Sequence, residues 1–157
     1  MKLEKIVSGG QTGVDRAGLD AAIALGIPCG GWCPKGRRAE DGVIPEHYPL
    51  TETTAVNYNR RTEWNARDSD ATLILNEGEL AGGTAYTITY AKKHQKPWRM
   101  VQLEQSWRFD ETRAWLIDNK VQVLNIAGPR ESKCQGINKR AGNYLKALLE
   151  GNHSAQY

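Results

Sequence analysis

An open, mostly parallel α/β sheet with helices on both faces, doubly wound, is the fold class this sequence predicts. Short apolar runs of strand length alternate with amphipathic stretches of helical spacing along the chain. The clearest run, Ala71-Thr72-Leu73-Ile74-Leu75, does not alternate between apolar and polar, as befits a strand covered from both sides. Glycine-rich turns stand where strands pass into helices, most plainly at Gly9-Gly10-Gln11-Thr12-Gly13. With 157 residues the chain is most simply one domain over residues 1–150, followed by a frayed tail over 151–157.

The elements follow in order. Lys5-Ile6-Val7-Ser8 reads as the first strand, and Val14, Gly18, Ala21, Ala22 and Leu25 share one face of the helix after it. Gly26-Ile27-Pro28 stops that helix, and Cys29-Gly30-Gly31-Trp32 makes a short buried strand. From Cys33 to about Thr54 the chain is irregular and rich in Pro, Gly and charge, which reads as a lid or binding loop. A helix over residues 55–67 leads through Asp68-Ser69-Asp70 into the strand at 71–75. The turn Ala81-Gly82-Gly83-Thr84 opens a helix to about His94, and Pro97 precedes a strand over 99–103. Asp110 is placed to cap a helix through Asn119, anchored by Trp115 and Leu116. The last strand spans 121–126, and the last helix, about 137–149, carries Ile137, Ala141, Tyr144, Leu145 and Leu148 on one face.

Three loops follow strands and precede helices: residues 8–15, 81–87 and 128–132. A parallel sheet brings them to one edge, where ligands of such folds bind. The unpaired N–H groups of a first helical turn, with the helix dipole behind them, attract an anion. Gly9, Gly10, Gln11, Thr12, Gly13, Asp15 and Arg16 are therefore candidate binding residues, with Gly82, Gly83, Thr84, Arg130 and Ser132. Lys35 and Arg37 join them as basic groups of the long loop, able to close over a polyanion. The usual nucleotide motifs are missing. Val14-Asp15 stands where a P-loop needs Gly-Lys, and the spacing is not Gly-x-Gly-x-x-Gly.

Composition narrows the classes. A net charge of +3 suits an anionic small molecule and is too weak to argue for nucleic acid. No apolar run approaches the length of a membrane span, and the N-terminus has no signal-peptide pattern. Three cysteines, an odd number, fit reduced thiols and a cytoplasmic location. Cys29 and Cys33 lack zinc spacing, and His47, His94 and His153 are too scattered for a triad, so neither a metal site nor catalytic residues are predicted. The five tryptophans read mainly as packing, with Trp32 and Trp64 near enough to the expected site to stack on a heterocycle.

Several stretches together resemble the putative molybdenum carrier family, a circularly permuted branch of the superfamily holding the lysine-decarboxylase-like (LOG) proteins. They are Gly9-Gly10-Gln11-Thr12-Gly13-Val14-Asp15-Arg16, Gly31-Trp32-Cys33-Pro34-Lys35-Gly36-Arg37 and Ala39-Glu40-Asp41-Gly42. Arg61-Thr62-Glu63, Asp68-Ser69-Asp70, Gly82-Gly83-Thr84 and Gly128-Pro129-Arg130-Glu131-Ser132 complete the set, so the likeness runs from about Ile6 to Leu149. The resemblance implies a Rossmann-like fold, homo-oligomers, and a carrier that binds molybdenum cofactor as cargo (a pterin with a terminal phosphate) or a nucleotide-like ligand. The alternative it implies is N-glycoside hydrolysis of nucleoside monophosphates, as in LOG relatives. Those relatives carry Pro-Gly-Gly-x-Gly-Thr-x-x-Glu, whereas this chain reads Ala81-Gly82-Gly83-Thr84-Ala85-Tyr86-Thr87-Ile88-Thr89-Tyr90, which puts Tyr90 at the glutamate position if Thr87 matches the family threonine. The reading therefore favours binding without catalysis, unless Glu40, Asp41 or Glu63 supplies the missing carboxylate.

Overall fold

The structure is a computed structural model that describes residues 2–154. Its strands are β1 (Lys5–Val7), β2 (Cys29–Gly30), β3 (Trp32–Cys33), β4 (Arg38–Ala39), β5 (Gly42–Val43), β6 (Thr51–Glu52), β7 (Ala71–Asn76), β8 (Trp98–Gln102) and β9 (Val123–Ala127). Its helices are α1 (Val14–Leu25), α2 (Tyr58–Arg67), α3 (Gly82–Lys93), α4 (Phe109–Asp118) and α5 (Ile137–Ser154), with a 3-10 turn at Glu131–Lys133. Five strands form the central sheet in the order β2-β1-β9-β7-β8, and every pairing in it is parallel. Ile6 stands opposite Cys29 on one side and Leu124 on the other, and Ile74 stands between Ala127 and Met100.

β1-α1-β2 and β7-α3-β8 run outward from the central β9 in opposite directions. Right-handed crossovers then put α1 and α3 on opposite faces, and the packing agrees: α1 lies against α5, and α2 against α3. β7 is buried along its whole length, as its uniform sequence requires. The face of α1 that carries Val14, Ala17, Gly18, Ala21 and Ala22 is buried. Gly18 is the reason α1 can lie so close to β9: a Cβ there would stand 2.9 Å from that of Ile126. Ile137, Ala141, Tyr144, Leu145 and Leu148 of α5 are fully buried, as their spacing predicts. Among the described residues no helix is long and apolar enough to cross a membrane.

Several expected boundaries move. Cys29-Gly30-Gly31-Trp32 does not form one strand. Gly31 has φ +125°, and the chain leaves the main sheet there, so that Trp32–Cys33 pairs with Thr51–Glu52 as a separate parallel ladder. The segment from 33 to 54 is not a free loop. Cys33, Ala39, Ile44 and Tyr48 form a second small core with Leu19, on the side of α1 away from the sheet. Asp110 does not cap α4: the helix starts one residue earlier, at Phe109, whose ring packs 5.2 Å from Tyr144 and 5.7 Å from Trp107. β9 begins later than expected, where Asp70 accepts the N–H groups of Gln122 and Val123. α5 continues to Ser154, into the stretch read as a tail, and residues 155–157 lie outside the described residues.

Gly128 and Gly83 make a clean contrast. A Cβ on Gly128 would press into the Leu75 carbonyl and stand 2.6 Å from Val14 Cγ2, whereas a Cβ on Gly83 meets nothing. Gly128→Ala should therefore lower unfolding free energy by about 1–3 kcal/mol. Gly83→Ala should leave it equal or raise it by about 0.5–1 kcal/mol. Urea denaturation of the two variants beside the parent checks both signs.

Candidate ligand-binding cleft

α3 follows β7 on one side of the sheet, while α1 and α5 lie on the other, so the chain parts at the carboxyl ends of β7 and β9. A cleft of about 470 Å³ opens there. Gly9, Gln11 and Asp15 line it from the first loop, Asn76, Glu77, Glu79, residues 81–84, Tyr86 and Thr87 from the second, Asn125 to Arg130 with Lys133 and Cys134 from the third, and Asn59, Arg61, Thr62 and Asn65 from α2.

The first glycine turn holds an anion, but it is the protein's own. Asp15 Oδ2 accepts the Gln11 N–H at 3.2 Å and pairs with Arg61 Nη1 at 2.6 Å. Burial pushes the Asp15 carboxyl above its ordinary range, against the opposing pull of Arg61, the Gln11 N–H and Arg16. Two further donors of the turn are also spent, since Val14 N–H binds the Pro129 carbonyl and Arg16 N–H that of Gln11. Each glycine has a packing reason. A Cβ on Gly9 would collide with the Arg61 guanidinium, and one on Gly10 would lie 2.5 Å from Leu50. One on Gly13 would strike the Pro129 carbonyl. Gly10 and Gly13 also take φ +80°, which L side chains rarely adopt.

A second set of anion donors is filled by the hairpin of β4 and β5. Glu40 receives the hydroxyls of Thr12 and Ser132 and the Ser132 N–H, with Arg130 at 3.9 Å. Burial works against the charge of Glu40, yet the bonds from Ser132 and Thr12 prevail and hold its carboxyl below the usual range. Asp41 grips Arg16 with both oxygens at 2.6 and 2.8 Å. The loop expected to act as a basic lid is thus fastened by its two acids. Lys35 is exposed and away from the cleft. Arg37 has φ +54° and turns its guanidinium onto the carbonyls of Ile44, Pro45, Tyr48 and Leu50, at 2.8–3.4 Å.

The second glycine turn behaves differently. α3 starts at Gly82 with neither a side-chain cap nor an acid in its first turn among the described residues. Gly82, Gly83 and Thr84 line the cleft together with Arg130 and Lys133. Of the residues read from sequence, the structure brings Gly9, Gln11, Asp15, Gly82, Gly83, Thr84 and Arg130 together at the cleft. Gly10, Thr12, Gly13, Arg16, Lys35, Arg37 and Ser132 stand outside it.

Sequence reasoning missed the amides. Asn76 ends the buried run of β7, and a polar residue at the carboxyl end of such a run is a signal for a site, whereas Asn125 is a buried polar residue in the middle of β9. Asn125 donates to Thr72 Oγ1 at 3.2 Å, and Asn76 to the Gly78 carbonyl at 3.1 Å. Tyr86, 51% exposed at the cleft, was also unread. Trp32 and Trp64, by contrast, pack edge to face at 4.8 Å, and the Arg60 and Arg67 guanidinium groups cover Trp64. Neither tryptophan lines the cleft. Nor do the three carboxylates held in reserve for catalysis: Glu63 binds Lys93 at 2.8 Å and His94 at 2.7 Å, and Glu40 and Asp41 are fastened as described.

A parallel, doubly wound sheet with a polar cleft at the switch in strand order defines an α/β protein of Rossmann-like class. The chain belongs to the Circularly permutated YpsA SLOG family, whose model matches residues 6–149. It is 45% identical to a crystal structure from Syntrophus aciditrophicus named "Putative molybdenum carrier protein", with a TM-score of 0.90 over 94% of this chain and 95% of that one. A structure of (E)-4-hydroxy-3-methyl-but-2-enyl diphosphate reductase overlaps far less, with a TM-score of 0.40 and 12% identity over 92% of this chain and 59% of that one. No curated protein matches the chain.

Two outcomes follow from the charges. Arg61→Met leaves the buried Asp15 carboxylate unpaired, which should cost about 3–5 kcal/mol at neutral pH. The folded-state pKa of Asp15 already lies above its ordinary value of 3.8, so the folded form takes up a proton first on acidification. The variant's deficit should therefore shrink as pH falls, and urea unfolding at neutral and mildly acidic pH measures it. Glu40 has the opposite sign. Its clamp should persist at the ordinary glutamate value of 4.5 and release only as pH falls below it. Hydrogen exchange over residues 38–43 should rise there, and equal protection across that range would contradict the clamp.

Proposed function

We propose that this chain binds a phosphorylated heterocycle in the cleft, either molybdenum cofactor as cargo or a nucleotide-like ligand, and holds it without catalysis. The observation that carries this is the bare N-terminus of α3 opening into a cleft that Arg130 and Lys133 also line. Helix N-terminal N–H groups and basic side chains are the usual partners of a phosphate. The glycines at Gly82 and Gly83 leave room for the phosphate to reach the backbone. The cavity volume suits a small molecule. Tyr86 supplies an aromatic face, and the amides of α2 and the strand ends supply hydrogen bonds to a polar ring. The name of the Syntrophus relative supports molybdenum cofactor as the cargo.

The direct test is to purify the protein, identify the small molecule that accompanies it by mass spectrometry, and assay for molybdenum. Gly83→Asp then probes the phosphate position. An acid in a first helical turn favours the helix and has open space here, so folding is not at stake. It should weaken nucleoside monophosphates and phosphorylated pterins by about tenfold or more and leave unphosphorylated nucleosides unchanged. Equal loss for both would place the phosphate elsewhere. Release of free base from monophosphates by the purified parent would overturn the non-catalytic part of the reading.

A further inference from the structure

Asp15 and Gln11 are, respectively, 4% and 2% exposed, and both line the cleft. Both bonds to Asp15 fall on Oδ2, from the Gln11 N–H and from Arg61. Its Oδ1 has no hydrogen-bond partner among the described residues, and it is not among the atoms sealed from the surface. The Gln11 amide is oriented by Glu40, whose N–H donates to Gln11 Oε1 at 3.2 Å. That leaves Gln11 Nε2 in the same condition as Asp15 Oδ1: on a buried side chain, unpartnered among the described residues, and not sealed. A buried acceptor and a buried donor left open on one turn call for a ligand that satisfies both.

We propose that Asp15 and Gln11 read the edge of the bound heterocycle, and that the edge is the 2-amino-4-oxo type common to guanine and pterins. This rests on the preceding reading that a phosphorylated heterocycle occupies the cleft. β1 and β7 are separated by β9, so the strands that lead to the Asp15 turn and to α3 stand about 10 Å apart, two strand spacings. A nucleotide-sized ligand with its phosphate at α3 is long enough for its ring to reach Asp15. Guanine and pterin place a ring N–H and an exocyclic amino group side by side, next to a carbonyl. A carboxylate oxygen accepts from both N–H groups, and the Gln11 amide donates to the carbonyl. Adenine offers one amino group beside a ring nitrogen that has no proton to give. Hypoxanthine keeps the carbonyl and the ring N–H and lacks the amino group.

The experiment uses the full chain, with calorimetric titration of guanosine, inosine, adenosine and xanthosine monophosphates, 2′-deoxyguanosine monophosphate and neopterin monophosphate. The parent should bind the guanosine and neopterin compounds about tenfold or more tightly than the inosine and adenosine ones. In Asp15→Asn the amide oxygen takes the place of Oδ2, facing Arg61 and the Gln11 N–H, and its NH2 group stands where Oδ1 was. The preference for the guanosine and neopterin compounds should then be lost, because that NH2 group faces the two N–H groups of their edge. Xanthosine monophosphate, whose 2-oxo group accepts where guanine donates, should lose less. A variant that binds the guanosine compound as tightly as the parent overturns the inference. So does a parent that does not distinguish guanosine from inosine monophosphate, a result that needs no variant to fold. Equal loss of all bases in the variant, with weak binding of the deoxy compound by the parent, would assign Asp15 to the ribose instead and overturn the base reading. A parent that binds none of the six overturns the cleft reading itself.

Discussion

The Asp15–Arg61 ion pair is the constraint that the upper edge of the sheet depends on. Asp15 stands in the first turn of α1, Arg61 on α2, and the two helices belong to different sides of the molecule. Their contact at 2.6 Å is buried, with side chains 6% and 14% exposed. A buried pair of this kind adds little net stability over an apolar replacement, but losing one member is costly because the other is left charged and dry. It therefore acts as a geometric requirement. Gly9 has no side chain because the guanidinium lies against it, and Gln11 turns its N–H inward because Asp15 Oδ2 receives it. The roof of the cleft and the base of α1 are fixed by one pair of side chains.

The same logic explains why the donors of a turn that reads as a phosphate cradle are engaged within the chain itself. Glycines before a helix, hydroxyls and arginines attract negative charge whatever its origin. Here the chain supplies three carboxylates to such positions. Asp15 fills the first turn, Glu40 takes Thr12 and Ser132, and Glu131 accepts the N–H groups of Gly136 and Asn138 at the start of α5. Each of these helix starts is thereby neutralised from within. α3 is the exception, since its first turn carries neither an acid nor a cap among the described residues. The electropositive end left open is the one that faces the cleft.

Much of the fold was legible because it rests on local pattern. The buried run at 71–75, the apolar face of α5 and the Gly26 stop of α1 each follow from residue spacing or backbone freedom. The segment 33–54 was not legible, because its order depends on contacts far along the chain. Ile44 and Tyr48 bury against Leu19, Tyr48 donates to Asp20 at 2.7 Å, and Arg37 satisfies four carbonyls at once. Nothing in composition separates an arginine that ties a loop together from one that meets a ligand. Residues that line the cleft were read best where the loops after the strands fix the position, as at Gly9, Gly82 and Arg130. They were missed where α2 enters from the side, as with Asn59 and Arg61.

The hairpin outside the cleft and the recognition groups inside it are joined by one residue. Gln11 donates its backbone N–H to Asp15 and accepts the Glu40 N–H on its side-chain carbonyl oxygen. The first bond holds the carboxyl that fixes the roof of the cleft. The second fixes which end of the Gln11 amide remains to meet a ligand. Glu40 is itself held by Thr12 of the first loop and Ser132 of the third, so its N–H cannot shift without loosening both. A side chain with one end immobilised presents the other at little further entropic cost, which is what a site needs from a polar group. The acidic hairpin therefore serves the cleft by pre-orienting a donor, a role for which its distance from the cavity is no obstacle.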